Sequence, residues 1–361
     1  MKQQRSSHRS AKPSYLDKLE ITSETKKRSV LDKRSNPLYN NQKKIYGVFS
    51  NYYKGGFYTL DYITGNEKCQ AIIDELNLRK KIHGKLIDDL CKSFKNIEKA
   101  TEEKTKRIKD CGNIISINQQ GKIINANFCK NRYCPICQWR KSRKAFAKSY
   151  RVQKRMEQKY DYNYLFLTLT LRNTPDLARG IDDILKSFKN LQDTSQYRKV
   201  VKGFIRTLEI TYNKQSKEWH PHLHIILAVK KDYFTNSELY TDRETWARLW
   251  KQSAKIEYYP QCDIRKIDEK ERENAIAEIS KYMVKPIDLD ISAETEKIYT
   301  SLLESTFGRR LTSTGGAYRK EFKRVQNETD ETDEDLENTE VLYTYEYKRY
   351  NYEIKEIKKI N

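Results

Sequence analysis

Three of the five histidines in this 361-residue chain fall within five residues, His220-Pro221-His222-Leu223-His224. Alternate residues of a strand share a face, so His220, His222 and His224 point one way while Leu223, Ile225 and Leu227 point into a core. Imidazoles so placed are candidate metal ligands. Phe204 to Tyr212 alternates in the same manner, with Thr207, Glu209 and Thr211 on one face, and polar residues join it to the histidine segment as an antiparallel hairpin. A turn near Lys214 to Lys217 brings Glu209 opposite His222 or His224. Two nitrogens and a carboxylate then converge, a donor set for Mg²⁺, Mn²⁺ or Zn²⁺. Glu209 is the preferred third ligand and His220 the alternative. A strand with exposed histidines put to no use is the rival reading.

A second group stands in Ala277 to Lys285, where Glu278 and Tyr282 are four residues apart and Lys285 follows three later. All three share one face of a helix expected from about Lys270 to Lys285 and stopped by Pro286. A tyrosine oxygen beside a metal-polarised phosphate is a competent nucleophile, with a lysine to stabilise its anion and a glutamate as base. The chain has 26 tyrosines, so this pattern draws its weight from the other motifs.

The third group is Cys129, Cys134 and Cys137, with Cys111 upstream as a fourth thiolate. That spacing suits a closed tetrahedral structural Zn²⁺ site, with reduced, partly buried thiols as the alternative. Cys69, Cys91 and Cys262 lack such company and are expected to be ordinary thiols.

These groups need a scaffold. Phe166 to Arg172 alternates as another strand, and Ile181 to Leu191 repeats at helical spacing. Thr241 to Glu244 reads as a capping box opening a helix with Trp246, Leu249 and Trp250 on its inner face. Cys69 to Ala100 reads as a helical hairpin broken at His83-Gly84, and a long helix follows the cysteines to about Tyr160. The expected fold is α+β, an antiparallel sheet with helices on one face, plus a helical N-terminal part and a cysteine-rich zinc knuckle. Expected boundaries are a basic flexible arm over 1–44, a helical region over 45–110, knuckle and basic helix over 111–160, the catalytic domain over 161–320, and a tail with an acidic segment over 321–361.

Lys and Arg number 71 against 50 Asp and Glu, a net charge of +21, and eight acidic residues crowd between Glu328 and Glu340. Such an excess favours a polyanionic partner and disfavours a hydrolase of small molecules. Around the cysteines, Arg132, Arg140, Lys141, Arg143 and Lys144, interleaved with aromatics, form a helix face suited to DNA, with a solvated face as the plainer reading. Arg172, at the end of the first strand, is a further candidate DNA contact. No apolar run approaches the roughly 20 residues that span a bilayer. An odd number of cysteines, four of them clustered, fits reduced thiols, hence a cytoplasmic protein with no membrane partner.

Together the motifs resemble the HUH endonucleases, and within them the plasmid rolling-circle replication initiators with one catalytic tyrosine. The resemblance spans roughly Cys111 to Leu311: Phe166 to Asn173 resembles the first motif, His220 to His224 the second, and Glu278 to Lys285 the third. It implies an RRM- or ferredoxin-like sheet and metal-dependent nicking of one strand at a plasmid origin through a 5′-phosphotyrosine. It further implies Mg²⁺ or Mn²⁺ on His222 and His224, Tyr282 as nucleophile and Glu278 as the activator of a terminating water. Host helicase and DNA polymerase are the implied partners, and an oligomer is possible. A relaxase or transposase of the same chemistry, or a non-catalytic zinc-stabilised DNA-binding regulator, are the alternatives.

Overall fold

The computed structural model describes residues 65–98, 102–118, 122–280, 295–334 and 343–357. They belong to one compact unit, Asp61–Asn361. The expected arm over 1–44, Tyr282, Lys285 and Pro286 lie outside the described residues. In chain order the elements are α1 (Gly65–Glu98), α2 (Glu102–Lys109), β1 (Ile114–Ile117), β2 (Ile123–Ala126), α3 (Pro135–Lys159), β3 (Tyr162–Thr170), α4 (Leu177–Asp193) and α5 (Ser195–Val200). There follow β4 (Val201–Asn213), β5 (Glu218–Lys230), α6 (Arg243–Ala254), β6 (Cys262–Lys266), α7 (Arg272–Ser280), α8 (Thr295–Thr306), β7 (Thr312–Gly315), α9 (Gly316–Glu334), β8 (Tyr343–Lys348) and β9 (Asn351–Ile357).

The strands make two sheets, ordered β6-β3-β5-β4-β7 and β2-β1-β8-β9, with every neighbouring pair antiparallel. The α+β class and the antiparallel sheet are as expected. In the larger sheet Leu208, Ile210, Leu223, Ile225 and Leu227 are fully buried. Phe188 of α4 meets Phe204 of β4 edge-on at 5.3 Å, so α4 covers this apolar side. The opposite side is not bare, because Thr207 of β4 donates to the Ile279 carbonyl of α7 at 2.6 Å. Pro221 is tolerated inside β5 because its missing N–H faces the side where β3 has already ended at Thr170. At the β7–α9 junction Gly316 has φ +56°, and a Cβ there would lie 2.2 Å from the Lys202 carbonyl, so only glycine fits.

Three local expectations are corrected. The helical hairpin is one continuous helix, α1, running through Gly84. Its inner stripe does not lapse in the middle, because Lys80 and His83 hold the positions between Leu76 and Leu86 while buried. Lys80 Nζ donates to the Cys111 carbonyl at 2.7 Å, and His83 Nε2 to the Ile108 carbonyl at 2.9 Å. A mid-helix glycine costs about 1 kcal/mol, less than one well-buried leucine returns. The N-cap of α6 is Asp242, whose side chain accepts from Thr245 N at 2.7 Å. Thr241 is instead buried, accepting from Gln196 Nε2 at 2.7 Å. Trp246 and Trp250 are core, as expected. The helix carrying Glu278 is described from Arg272 to Ser280. Residues 321–361, expected as a tail, include most of α9 and the strands β8 and β9, and β8 pairs with β1.

Burial holds the His83 imidazole at about 4, below the 6.5 of an exposed ring. The unfolded chain then binds the proton more readily, so the stability from neutral His83 is complete above 6.5 and lost as the pH falls toward 4. By about pH 5 the loss should reach about 2 kcal/mol. His83→Gln, whose amide can serve the same carbonyl, should flatten that acid limb in denaturant melts at about pH 7 and about pH 5. Equal acid losses in both proteins would refute it.

Candidate active site

The hairpin register sets Glu209 directly opposite His222, with His224 opposite Thr207 and His220 opposite Thr211. His224 Nε2 lies 2.9 Å and His222 Nε2 3.3 Å from Glu209 Oε2. The other ring nitrogens are occupied. His224 Nδ1 is 3.2 Å from Thr168 Oγ1 on β3, and His222 Nδ1 donates to the His220 carbonyl at 3.2 Å. Both Nε2 atoms therefore aim at the same point, the orientation that partners on the far nitrogen give to metal-binding imidazoles. Among the described residues the donor atoms of Glu209, His222 and His224 lie within 4.8 Å of one another, and His220 is not in the group. His220 Nδ1 instead meets Asn173 Oδ1 at 2.8 Å.

The donor set fits a divalent ion. Bonds of about 2.1 Å at right angles place neighbouring donors about 3 Å apart, close to the two observed spacings. Burial alone would push the Glu209 carboxyl up, but the hydrogen bonds from His222 and His224 outweigh it and hold the group well below the usual carboxylate range. Burial and the adjacent His222 lower the His220 imidazole, favouring its neutral form.

Glu278 enters from α7, its Oε1 3.7 Å from His224 Nε2. Two contacts fix the end of that helix. Thr207 holds the Ile279 carbonyl from the sheet, and Ser142 of α3 holds the Ser280 carbonyl at 2.6 Å. Thr168, Thr207 and Ser142 were not singled out by motif reading. The first two sit on the polar face of their strands, and that alternation was the available signal. Ser142 had no sequence signal, because it acts across 138 residues.

The four predicted thiols converge. Cys111 Sγ lies 3.6 Å from the Sγ atoms of Cys134 and Cys137, and Cys129 Sγ lies 3.6 Å from Cys137 Sγ. A disulfide needs about 2 Å. Tetrahedral zinc with bonds of about 2.3 Å places its sulfurs about 3.8 Å apart, so the cluster fits that ion. Cys134 is the N-cap of α3, its thiol making no cap bond, and Pro135 follows. Thiolates there face the positive end of the helix dipole. Burial pushes the Cys134 thiol up, whereas hydrogen bonds from Cys111, Cys129 and Cys134 pull Cys137 far down. Cys69, Cys91 and Cys262 are buried apart from the cluster.

The expected DNA-facing cations divide. Lys141, Lys144 and Arg172 are exposed. Arg140 lies over the Phe128 ring at 4.7 Å, Arg143 over Trp139 at 5.4 Å and Arg172 over Tyr258 at 4.0 Å. Arg132 is committed to the Thr306 and Arg309 carbonyls. Of the interleaved aromatics, Tyr133, Trp139 and Phe146 are buried, because α3 turns that side to the core. No helix among the described residues is long and apolar enough to cross a membrane.

The chain is 32% identical over 269 residues to Protein rep of Streptococcus pneumoniae serotype 2 (strain D39 / NCTC 7466), covering 69% of this chain and 83% of that one. It is 32% identical over 253 residues to Protein rep of Bacillus amyloliquefaciens, covering 62% and 73%. It is 34% identical over 188 residues to Protein rep of Staphylococcus aureus, covering 50% and 82%. No solved structure gives a significant match. A family model described as Replication protein matches residues 120–359, which takes in the cysteine cluster from Cys129 onward, the histidine hairpin and α7. The chain therefore belongs to the replication protein family, in keeping with the resemblance to replication initiators carried by its three motifs.

Proposed function

We propose that this replication initiator nicks one strand of a plasmid origin and so starts rolling-circle replication. The observation that carries the reading is the convergence of Glu209, His222 and His224 on one sheet face, with Glu278 3.7 Å from His224. A divalent ion held there would draw charge from the oxygens of a bound phosphodiester. Tyr282 lies two residues beyond Ser280 in sequence. In this reading its oxygen attacks the scissile phosphorus. The P–O3′ bond breaks, the DNA 3′ oxygen leaves as a hydroxyl after taking a proton, and a 5′-phosphotyrosine forms. Lys285 stabilises the tyrosine anion. Glu278 accepts a proton from the water that ends the round by hydrolysing that ester. Thr207 and Ser142 keep α7 at the depth this requires.

The test is to mix the full-length protein with single-stranded oligonucleotides tiling the replicon that encodes it, with Mn²⁺ added or withheld. A metal-dependent adduct that survives denaturation and maps to Tyr282 is the expected result. Glu278→Ala should leave the first nick within about threefold of wild type and slow release of the adduct at least about tenfold. Equal loss of both steps would remove the water-activating role. Binding to the tiles without any adduct would favour the regulator reading.

A further inference from the structure

Two basic hollows flank the loop from Phe307 to Arg310, between α8 and β7. One, of about 380 Å³, is bordered by Lys104 and Arg107 of α2, by Lys130 beside the cysteine cluster, and by Phe307. The other, of about 410 Å³, is bordered by Lys141 and Lys148 of α3 and by Arg310. It reaches Ile279 and Ser280, the described end of the helix that carries Glu278. Neither hollow has a carboxylate in its described lining.

The loop between them is anchored. Arg132 borders both hollows, and its guanidinium holds the Thr306 and Arg309 carbonyls. Tyr133 Oη lies 2.6 Å from Thr306 Oγ1 and donates to the Leu302 carbonyl at 3.1 Å. Thr306 is 1% exposed, whereas the next residue, Phe307, is 73% exposed. An aromatic ring on a fixed root stands in water at the rim of the first hollow, two residues before the loop enters the second at Arg309 and Arg310. It has the two features that a single strand of nucleic acid uses, a platform for a base and charges for the flanking phosphates. A duplex keeps its base faces stacked inside and can use only the charges.

We propose that single-stranded DNA runs along this track, from the hollow beside the cysteine cluster, over Phe307 with one base stacked on its ring, into the hollow that ends at Ser280. Lys104, Arg107 and Lys130 take phosphates on one side of the stacked base, and Lys141, Lys148 and Arg310 take them on the other. The direction of travel rests on the proposed nicking function, since the track ends two residues short of Tyr282 in sequence. Arg132 is the strut that sets the height of the loop.

The test measures anisotropy of a labelled oligothymidylate of about 20 nucleotides, and of a duplex of the same length, with the full-length protein in buffer without added Mg²⁺ or Mn²⁺. Phe307→Ala should weaken single-strand binding about tenfold and duplex binding less than about twofold, with an unchanged melting temperature. Phe307→Trp should hold or raise single-strand affinity. Lys141→Ala combined with Arg310→Ala should lower the slope of log affinity against log salt by about 1.4, from two single-strand phosphate contacts. Unchanged single-strand affinity in Phe307→Ala, or an equal loss for the duplex, would overturn the track. Because no cleavage is read, these shifts would persist even if no adduct ever formed on Tyr282, so the track and the nicking function can fail separately.

Discussion

His222→Ala should lower adduct formation at least about 10³-fold at limiting Mn²⁺ and recover part of it when Mn²⁺ is raised, while Tyr282→Phe should form no adduct at any Mn²⁺ concentration. The two losses have different causes. His222 supplies one of three converging donors, and even changing a residue that merely orients a ligand commonly costs about 10–100-fold in metal affinity. Lost affinity can be offset by concentration. A missing nucleophile cannot. His222 is the better ligand to remove, because Glu209 keeps its 2.9 Å hydrogen bond to His224 and no buried carboxylate is orphaned. His224→Ala would leave Thr168 Oγ1 without its ring partner and take from Glu209 its shortest histidine contact. An His222→Ala protein that nicks at the wild-type rate in limiting Mn²⁺ would refute the ligand role.

The purified protein should carry one tightly held zinc, and Cys137→Ser should lose it together with about 3 kcal/mol or more of stability. The size of the effect follows from what hangs on the cluster. Cys111 and Cys134 are fully buried, so without an ion their thiols crowd together with little solvent to receive charge. The Cys111 carbonyl accepts from Lys80 of α1, and the neighbouring Gly112 carbonyl accepts from Tyr352 Oη of β9 at 2.5 Å. Cys134 caps α3, whose Ser142 holds the end of α7. Loss of the ion should thus loosen α1, the smaller sheet and α7 together. Elemental analysis and thermal melts of wild type, Cys137→Ser and His222→Ala check this, with His222→Ala keeping its zinc. A zinc-free wild-type protein with a melt matching that of Cys137→Ser would dispose of the structural ion.

The chemistry-bearing residues were legible because their logic is local. Strand alternation alone put His220, His222 and His224 on one face, and a short turn fixed the pairing that sets Glu209 against His222. Cysteine spacing announced a four-thiol cluster, and the cluster forms. The alternation of β3, β4 and β5 gave the central sheet, since period two survives as long as one face is buried.

What the sequence left open depends on atoms far apart in the chain. It kept Glu209 and His220 as rival third ligands, and the fold groups Glu209 with His222 and His224 while His220 meets Asn173, 47 residues away. It broke α1 at His83-Gly84, because a buried Lys or His reads as surface until its carbonyl partner is known, and those carbonyls belong to Cys111 and Ile108. It took residues beyond 320 for a tail, because a strand as polar as β8 becomes a strand only by pairing with β1. It also read Arg132 as a DNA contact, whereas carbonyls 174 and 177 residues away claim that guanidinium. Side-chain type and spacing determined which groups could do chemistry. Only the tertiary fold decided where they meet, because partners far apart in the chain engage some elsewhere and bring Glu209, His222 and His224 to one point.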